Sequence, residues 1–253
     1  MSTQLGAQDA QFLFLQAPDM PMVVMNIDVF DPSTARGRRV RLEDLVAHFS
    51  SRCMGAQVYR RKLFRVPGDL DYPYWIDDPA FRAENHVTRV RLPRPGDWAQ
   101  LCRLATRRFA APMDFARPLW DLLVVEGVDA VPGVAPGSFA LMQRFHHAAI
   151  DGASGAHALA MVWDADARGT PLIEPDDHAA PSPAPPPLTV VARALATHAA
   201  APLRVASVLW RESPALLEAA KRRIGGGRAP AGSPIPVTRF NQRLTGRRAY
   251  GAA

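Results

Sequence analysis

The 253-residue chain carries 30 Lys and Arg against 24 Asp and Glu, a formal charge of +6, with 48% hydrophobic and 21% charged residues. That composition suits a globular protein with a sizeable core and excludes a disordered or collagen-like chain. No run approaches the roughly 20 apolar residues needed to cross a bilayer.

The opening Met1-Ser2-Thr3-Gln4-Leu5 lacks a basic segment followed by an apolar one, so no secretory leader is expected and the protein is expected to be cytoplasmic. Residues 9–16 then form a short apolar helix candidate closed by Pro18. Met22 to Phe30, rich in Val, Ile and Met and stopped by Asp31-Pro32, reads as a buried strand. Leu42, Leu45, Val46 and Phe49 recur at helical spacing, predicting an amphipathic helix to Cys53. Extended pieces follow at Lys62–Val66 and Pro73–Ile76, with Pro67-Gly68-Asp69 as the turn between them.

His86 to Leu92 alternates like a half-buried strand, and Asp97 caps a helix to about Phe109. Leu119–Glu126 and Ser138–Phe145 read as apolar strands joined by a loop, and the second runs straight into His146-His147. A helix is expected from Ala149 to about Trp163. Strands interleaved with single helices indicate an α/β or α+β domain with a mixed sheet. Prolines at 171, 175, 181, 183, 185, 186 and 187 predict an extended linker over 170–187. Leu188 to Arg223 is rich in Ala and Leu and predicts a helix interrupted near Pro202 and Pro214, followed by a loop tail. The expected organisation is therefore a domain over 1–169, a linker over 170–187 and a helical connector with its tail over 188–253.

Of the 30 basic residues 28 are arginine, set in scattered pairs such as Arg38-Arg39 and Arg107-Arg108 without interleaved aromatics. That pattern speaks for solvated surface and against nucleic acid. Cys53 and Cys102 offer neither metal-ligand spacing nor a disulfide framework and read as small buried hydrophobes.

The segment that carries chemistry is Phe139 to Gly152: an apolar strand delivers two adjacent histidines to its end, and Asp151 and Gly152 follow where a helix is expected. Strand alternation should turn His146 and His147 in opposite directions, so that only one faces a given cleft. An imidazole with an ordinary pKa near 6.5 is suited to taking a proton from a hydroxyl at neutral pH. Asp151, four residues beyond His147, could hold an imidazole tautomer or brace the loop through an arginine, and Gly152 would permit a sharp turn. The spacing alone leaves a purely structural histidine open. For a metal, Asp151 would be a thin third ligand with no Cys or Glu cluster to support it, so no metal is expected.

His146-His147-Ala148-Ala149-Ile150-Asp151-Gly152 resembles the HHxxxDG signature of the chloramphenicol acetyltransferase-like superfamily. Arg117-Pro118-Leu119-Trp120-Asp121, the opening Asp9, Phe12, Leu13 and Pro21-Met22, and the tail from Phe240-Asn241 to Arg248 narrow this to the N-terminal half of the bacterial wax ester synthase/diacylglycerol acyltransferases. The resemblance runs in order along nearly the whole chain. It implies a chloramphenicol acetyltransferase-like fold and an O-acyltransferase that moves a long-chain acyl group from acyl-CoA to diacylglycerol or a long-chain alcohol. It implies His147 as general base, His146 in support, Asp151 and Gly152 as structural residues, and Pro118, Leu119 and Trp120 as core or pocket residues. Acyl-CoA would be a co-substrate, with no permanently bound cofactor, and peripheral contact with a membrane or lipid droplet would follow from lipid substrates.

The family pattern also includes a second domain of similar fold, which would have to begin beyond Ala253, and a complementing C-terminal half is an expected partner. Two other readings stand beside the enzyme: a catalytically silent fragment that binds lipid or a partner, and a carrier-protein-dependent condensation-type acyltransferase.

Overall fold

The computed structural model describes residues 2–150, 158–164 and 183–224. By compactness these fall into two units: the described residues of 2–65 and 72–184, and residues 66–71 with 185–224.

The first unit is built on a four-stranded mixed sheet. Its strands, in chain order after the two-residue β1 (Thr3–Gln4), are β2 (Val23–Phe30), β5 (Val87–Arg91), β6 (Trp120–Glu126) and β7 (Phe139–His146). Their order across the sheet is β2-β7-β6-β5. β7 pairs antiparallel with both neighbours, while β5 and β6 run parallel. A smaller antiparallel sheet joins β1, β4 (Tyr74–Asp77) and β3 (Arg61–Phe64) in the order β1-β4-β3. The helices are α1 (Ala7–Leu15), α2 (Leu42–Gly55), the one-turn α3 (Gln57–Arg60) and α4 (Trp98–Ala110). Residues 158–162 are also helical.

Period-two alternation divides the main sheet into two buried faces. Trp120, Leu122 and Val124 of β6 and Phe139, Leu141 and Phe145 of β7 cluster with Phe49 and Cys53 of α2 and with Val162. Leu123, Val125, Ala140 and Met142 face the other way, against Leu101 and Ala105 of α4. β7 therefore sits inside the protein, and all eight of its residues are buried. α4 starts where expected: Asp97 Oδ1 accepts from the Gln100 amide at 2.8 Å, and Gln100 Oε1 accepts from the Asp97 amide at 2.9 Å. Such a reciprocal cap stabilises a helix start by about 1 kcal/mol.

Three expectations are corrected. Among the described residues β2 is an edge strand, with Val24 and Val29 exposed at 39% and 41%. An apolar run reports β preference, and only the pairing order decides whether a strand lies at the centre. The helix expected to begin at Ala149 does not: residues 147–149 form a turn and Ile150 is irregular. Finally, α5 (Pro187–Ile224) of the second unit runs through Pro202 and Pro214 without a break. Each proline removes one amide donor, but the Ala-rich segments around them have strong helix preference and carry the helix on. Within that unit His198 Nε2 donates to Leu70 O at 2.5 Å. The linker residues 170–182 and the tail beyond 224 lie outside the described residues.

The polar residues of β7 tie the layers together. Arg144, 1% exposed, meets its cross-strand partner Asp121 in a two-pronged pair, Nε to Oδ1 at 3.0 Å and Nη2 to Oδ2 at 2.5 Å. Its Nη1 also donates to the carbonyls of Arg108 and, at 2.8 Å, Ala111 at the end of α4. Removing Arg144 leaves Asp121 with Arg108 alone, at 2.7 Å, and the two carbonyls unanswered, at about 1–3 kcal/mol for each buried group left unpaired. Arg144→Met is expected to lower the urea-unfolding free energy by about 2 kcal/mol or more. A loss under about 1 kcal/mol would show that water answers those groups instead.

Candidate active site

The histidine pair stands at the end of β7. The His146 amide donates to Leu119 O at 3.0 Å and the His147 amide to Met22 O at 2.8 Å, so the flanking strands hold the backbone as the sheet ends. The Ala149 amide then closes a turn on His146 O at 2.9 Å. Ala148 is buried in a third apolar cluster with Leu5, Ala10, Leu63 and Leu119, and Ala149 packs against it. Two alanines suit this turn because they pack tightly between α1 and the small sheet without demanding a polar partner.

His146 is fully buried. The Ala148 amide, which can only donate, lies 3.1 Å from its Nδ1, and Gln16 Oε1 lies 2.5 Å from its Nε2. Nδ1 must therefore accept, and Nε2 carries the proton and donates to Gln16. Phe115 covers the ring edge-on at 5.3 Å. Burial, followed by the neighbouring His147, pushes its pKa down to about 4, so the ring is neutral at physiological pH.

His147 is half-buried. Its ring stacks on Phe12 with centroids 4.4 Å apart and planes 15° from parallel. Its Nδ1 is out of contact with solvent and has no hydrogen-bond partner among the described residues. Phe12 and Gln16 are four residues apart on one side of α1 and at its end, and each holds one histidine. The strand stops at His146, so alternation no longer governs the next residue. Asp151 and Gly152 lie outside the described residues.

Pro118, Leu119 and Trp120 are all buried. Trp120 Nε1 donates to Tyr59 O at 2.8 Å, and its indole stacks on His86 at 4.6 Å, with Tyr59 edge-on at 5.0 Å. The His86 ring hydrogen-bonds Trp120 O through Nδ1 at 2.9 Å, and burial holds its pKa below the ordinary value. A cavity of about 200 Å³ beside the histidine turn is bounded by Gln57, Val58, Arg61, Trp75 and Ala149. Gln16, Tyr59 and Arg144 were not singled out from the sequence. The one available signal was the polar Gln143-Arg144 inside an apolar strand, which marks residues that need buried partners. Among the described residues no group of three or more His, Cys, Asp or Glu is placed to hold a metal ion.

A mixed sheet with helices on both faces, ending in a braced histidine pair, gives the fold class, and comparison with known proteins gives the family. The wax ester synthase/diacylglycerol acyltransferase catalytic domain matches residues 5–253, and the chain belongs to that family. A protein of Mycobacterium tuberculosis strain H37Rv, provisionally named a diacylglycerol O-acyltransferase, is 30% identical over 247 residues, 94% of this chain and 45% of its own length. Another from the same strain, tgs1, carries the same kind of name and is 32% identical over 151 residues, 60% of this chain and 31% of its own. The chain thus spans about half the length of the curated relatives it matches over 247 residues, 45% of it. Among solved structures, a wax ester synthase/diacylglycerol acyltransferase from Marinobacter aquaeolei VT8 aligns with a TM-score of 0.47 at 25% identity, covering 61% of this chain and 35% of that one. The starter condensation domain of rhizomide synthetase RzmA, as the R148A mutant, aligns with a TM-score of 0.47 at 18% identity, covering 64% and 37%.

The depressed pKa of His146 has a consequence for stability. Between about pH 6.5 and 4 the unfolded chain binds a proton at this residue that the folded chain refuses. Its contribution is therefore complete above pH 6.5 and is lost as the pH falls towards 4, on the order of 3 kcal/mol in all. Chemical unfolding across that range is expected to show stability falling with acidity, and less steeply in His146→Gln. Identical slopes in the two proteins would contradict a buried neutral imidazole.

Proposed function

We propose that this chain is the histidine-bearing part of an O-acyltransferase that moves a long-chain acyl group from acyl-CoA to diacylglycerol or a long-chain alcohol. The observation that carries the reading is the division of labour in the histidine pair. His146 has both ring nitrogens engaged and is neutral, which leaves His147 as the half-buried imidazole of the motif. In this reading His147 accepts the proton of the acceptor hydroxyl as that oxygen attacks the thioester carbonyl. The carbon–sulfur bond then breaks, and the imidazolium returns its proton to the departing thiolate. Ester and free coenzyme A result, with no acyl group held covalently by the protein.

His146 acts as a strut that fixes the turn, and Phe12 sets the plane of the His147 ring. Asp151 and Gly152 brace and turn the loop that follows. Pro118, Leu119 and Trp120 serve packing, which their burial supports. Residues 1–169 would be the acyltransferase domain, 170–187 a linker and 188–253 a connector towards a complementing C-terminal half. Acyl-CoA is a co-substrate in this scheme, and no resident cofactor takes part.

Peripheral lipid contact fits the same substrates. Among the described residues no helix is long and apolar enough to cross a membrane. Leu203, Trp210 and Leu217 nevertheless recur every seventh residue on α5 and are at least 60% exposed, with Arg211 beside them.

The test is acyl transfer from labelled acyl-CoA to vesicle-borne diacylglycerol and to a long-chain alcohol. It is run with the 253-residue chain alone and with the chain supplemented by the second half of a relative. In whichever preparation turns over, His147→Ala is expected to reduce the rate by about 10²–10⁴-fold and His146→Ala by less. Undiminished ester formation in His147→Ala would remove the proposed base. Recovery of all protein in the supernatant after sedimentation with those vesicles would remove the lipid contact.

A further inference from the structure

A second cavity lies at the opposite end of β7. It holds about 500 Å³ and reaches Ser138 and Phe139, where the strand starts. At ~3.3 Å per residue, the seven steps from Phe139 to His146 put it roughly 23 Å from the histidine pair. It is therefore a separate place in the fold, and nothing in the proposed acyl transfer uses it.

Its lining is strongly cationic. Arg38, Arg39, Arg89 and Arg91 face two carboxylates, Glu126 and Asp129. Glu126 alone serves both Arg89, at 3.6 Å, and Arg91, at 3.4 Å. Arg38 and Arg39 make no ion pair among the described residues, so the rim carries uncompensated positive charge. Behind the rim lies an apolar floor of Val40, Leu42, Leu45 and Val124.

One further feature points to a ligand. Ser138 lines the cavity and is only 4% exposed, yet its Oγ has no hydrogen-bond partner among the described residues. A hydroxyl withdrawn from water and left unanswered costs about 1–3 kcal/mol. A polar group in the cavity would recover that loss, and surplus guanidiniums with a buried hydroxyl match an anion with several acceptor oxygens.

We propose that the arginine-rimmed cavity at the start of β7 binds a phosphate group, with the surplus guanidinium charge of Arg38 and Arg39 and the hydroxyl of Ser138 as its donors. A phosphate offers three or four oxygens to this set where a carboxylate offers two, and the planar guanidinium fork favours such oxygens. The phosphate is either free or the headgroup of a lipid whose apolar part lies on the floor. The proposal stands apart from the acyl-transfer reading and is tested without measuring turnover.

The experiment is calorimetric titration of the whole chain with inorganic phosphate and, separately, with dihexanoyl phosphatidic acid kept below its micelle concentration. Saturable one-to-one binding is expected for at least one of them. The exposed double variant Arg38→Ala/Arg39→Ala should weaken it about tenfold or more, and Ser138→Ala several-fold. Tighter binding of phosphatidic acid assigns the site to a lipid headgroup, and equal binding assigns it to free phosphate; either supports the proposal. No saturable binding of either probe would overturn it. So would wild-type affinity in the double arginine variant, whose fold is checked by circular dichroism and whose exposed side chains make it the deciding one even where Ser138→Ala does not fold.

Discussion

A strand with no access to water makes its polar groups depend on partners inside the protein, and β7 is such a strand. Three of its eight residues are polar, and each recruits a different element. Gln143 Nε2 reaches the Tyr59 hydroxyl at 3.3 Å, and that hydroxyl donates to Ala158 O at 3.1 Å, while Gln143 Oε1 has no partner among the described residues. Arg144 binds β6 through Asp121 and the end of α4 through two carbonyls. His146 takes hold of Gln16 at the end of α1. The apolar residues between them bury two faces of the sheet, and the polar ones decide which helices and turns may dock there.

The same obligation shapes the histidine pair. Of two neighbouring imidazoles, one is withdrawn from water, has both nitrogens occupied and is too costly to protonate near neutrality. Its partner is the first residue past the strand, partly exposed and stacked on Phe12. A fully buried and saturated histidine cannot exchange protons with a substrate, but it can make the backbone beneath its neighbour rigid. Under the proposed acyl transfer, rigid positioning of the base would matter because no covalent intermediate holds the acyl group in place.

How much of this was legible in the sequence follows from the range of the interactions. Period and capping are local, so α2, α4 and most strands were readable from residues such as Leu45, Phe49 and Asp97. The paired histidines at a strand end were also readable, together with the family resemblance they carry. The edge position of β2 was not, because strand order depends on pairings more than a hundred residues apart, such as Val23 with His146. Gln16 and Phe12 lie 130 and 135 residues before the rings they contact, and no local spacing announces them. Pro202 and Pro214 misled in the other direction, since a proline penalises a helix without forbidding it.

β7 thus joins two chemically different ends: an arginine-rimmed cavity with a stranded hydroxyl where it begins, and a braced imidazole pair where it finishes. The central claim is that His146 is a neutral strut of defined tautomer. It is tested most directly by nitrogen-15 NMR of the histidine rings at about pH 6, within the interval between its depressed pKa and that of an ordinary histidine. The account predicts a His146 ring with a bare Nδ1 and a protonated Nε2. A proton on Nδ1, or a fully protonated ring at that pH, would contradict it.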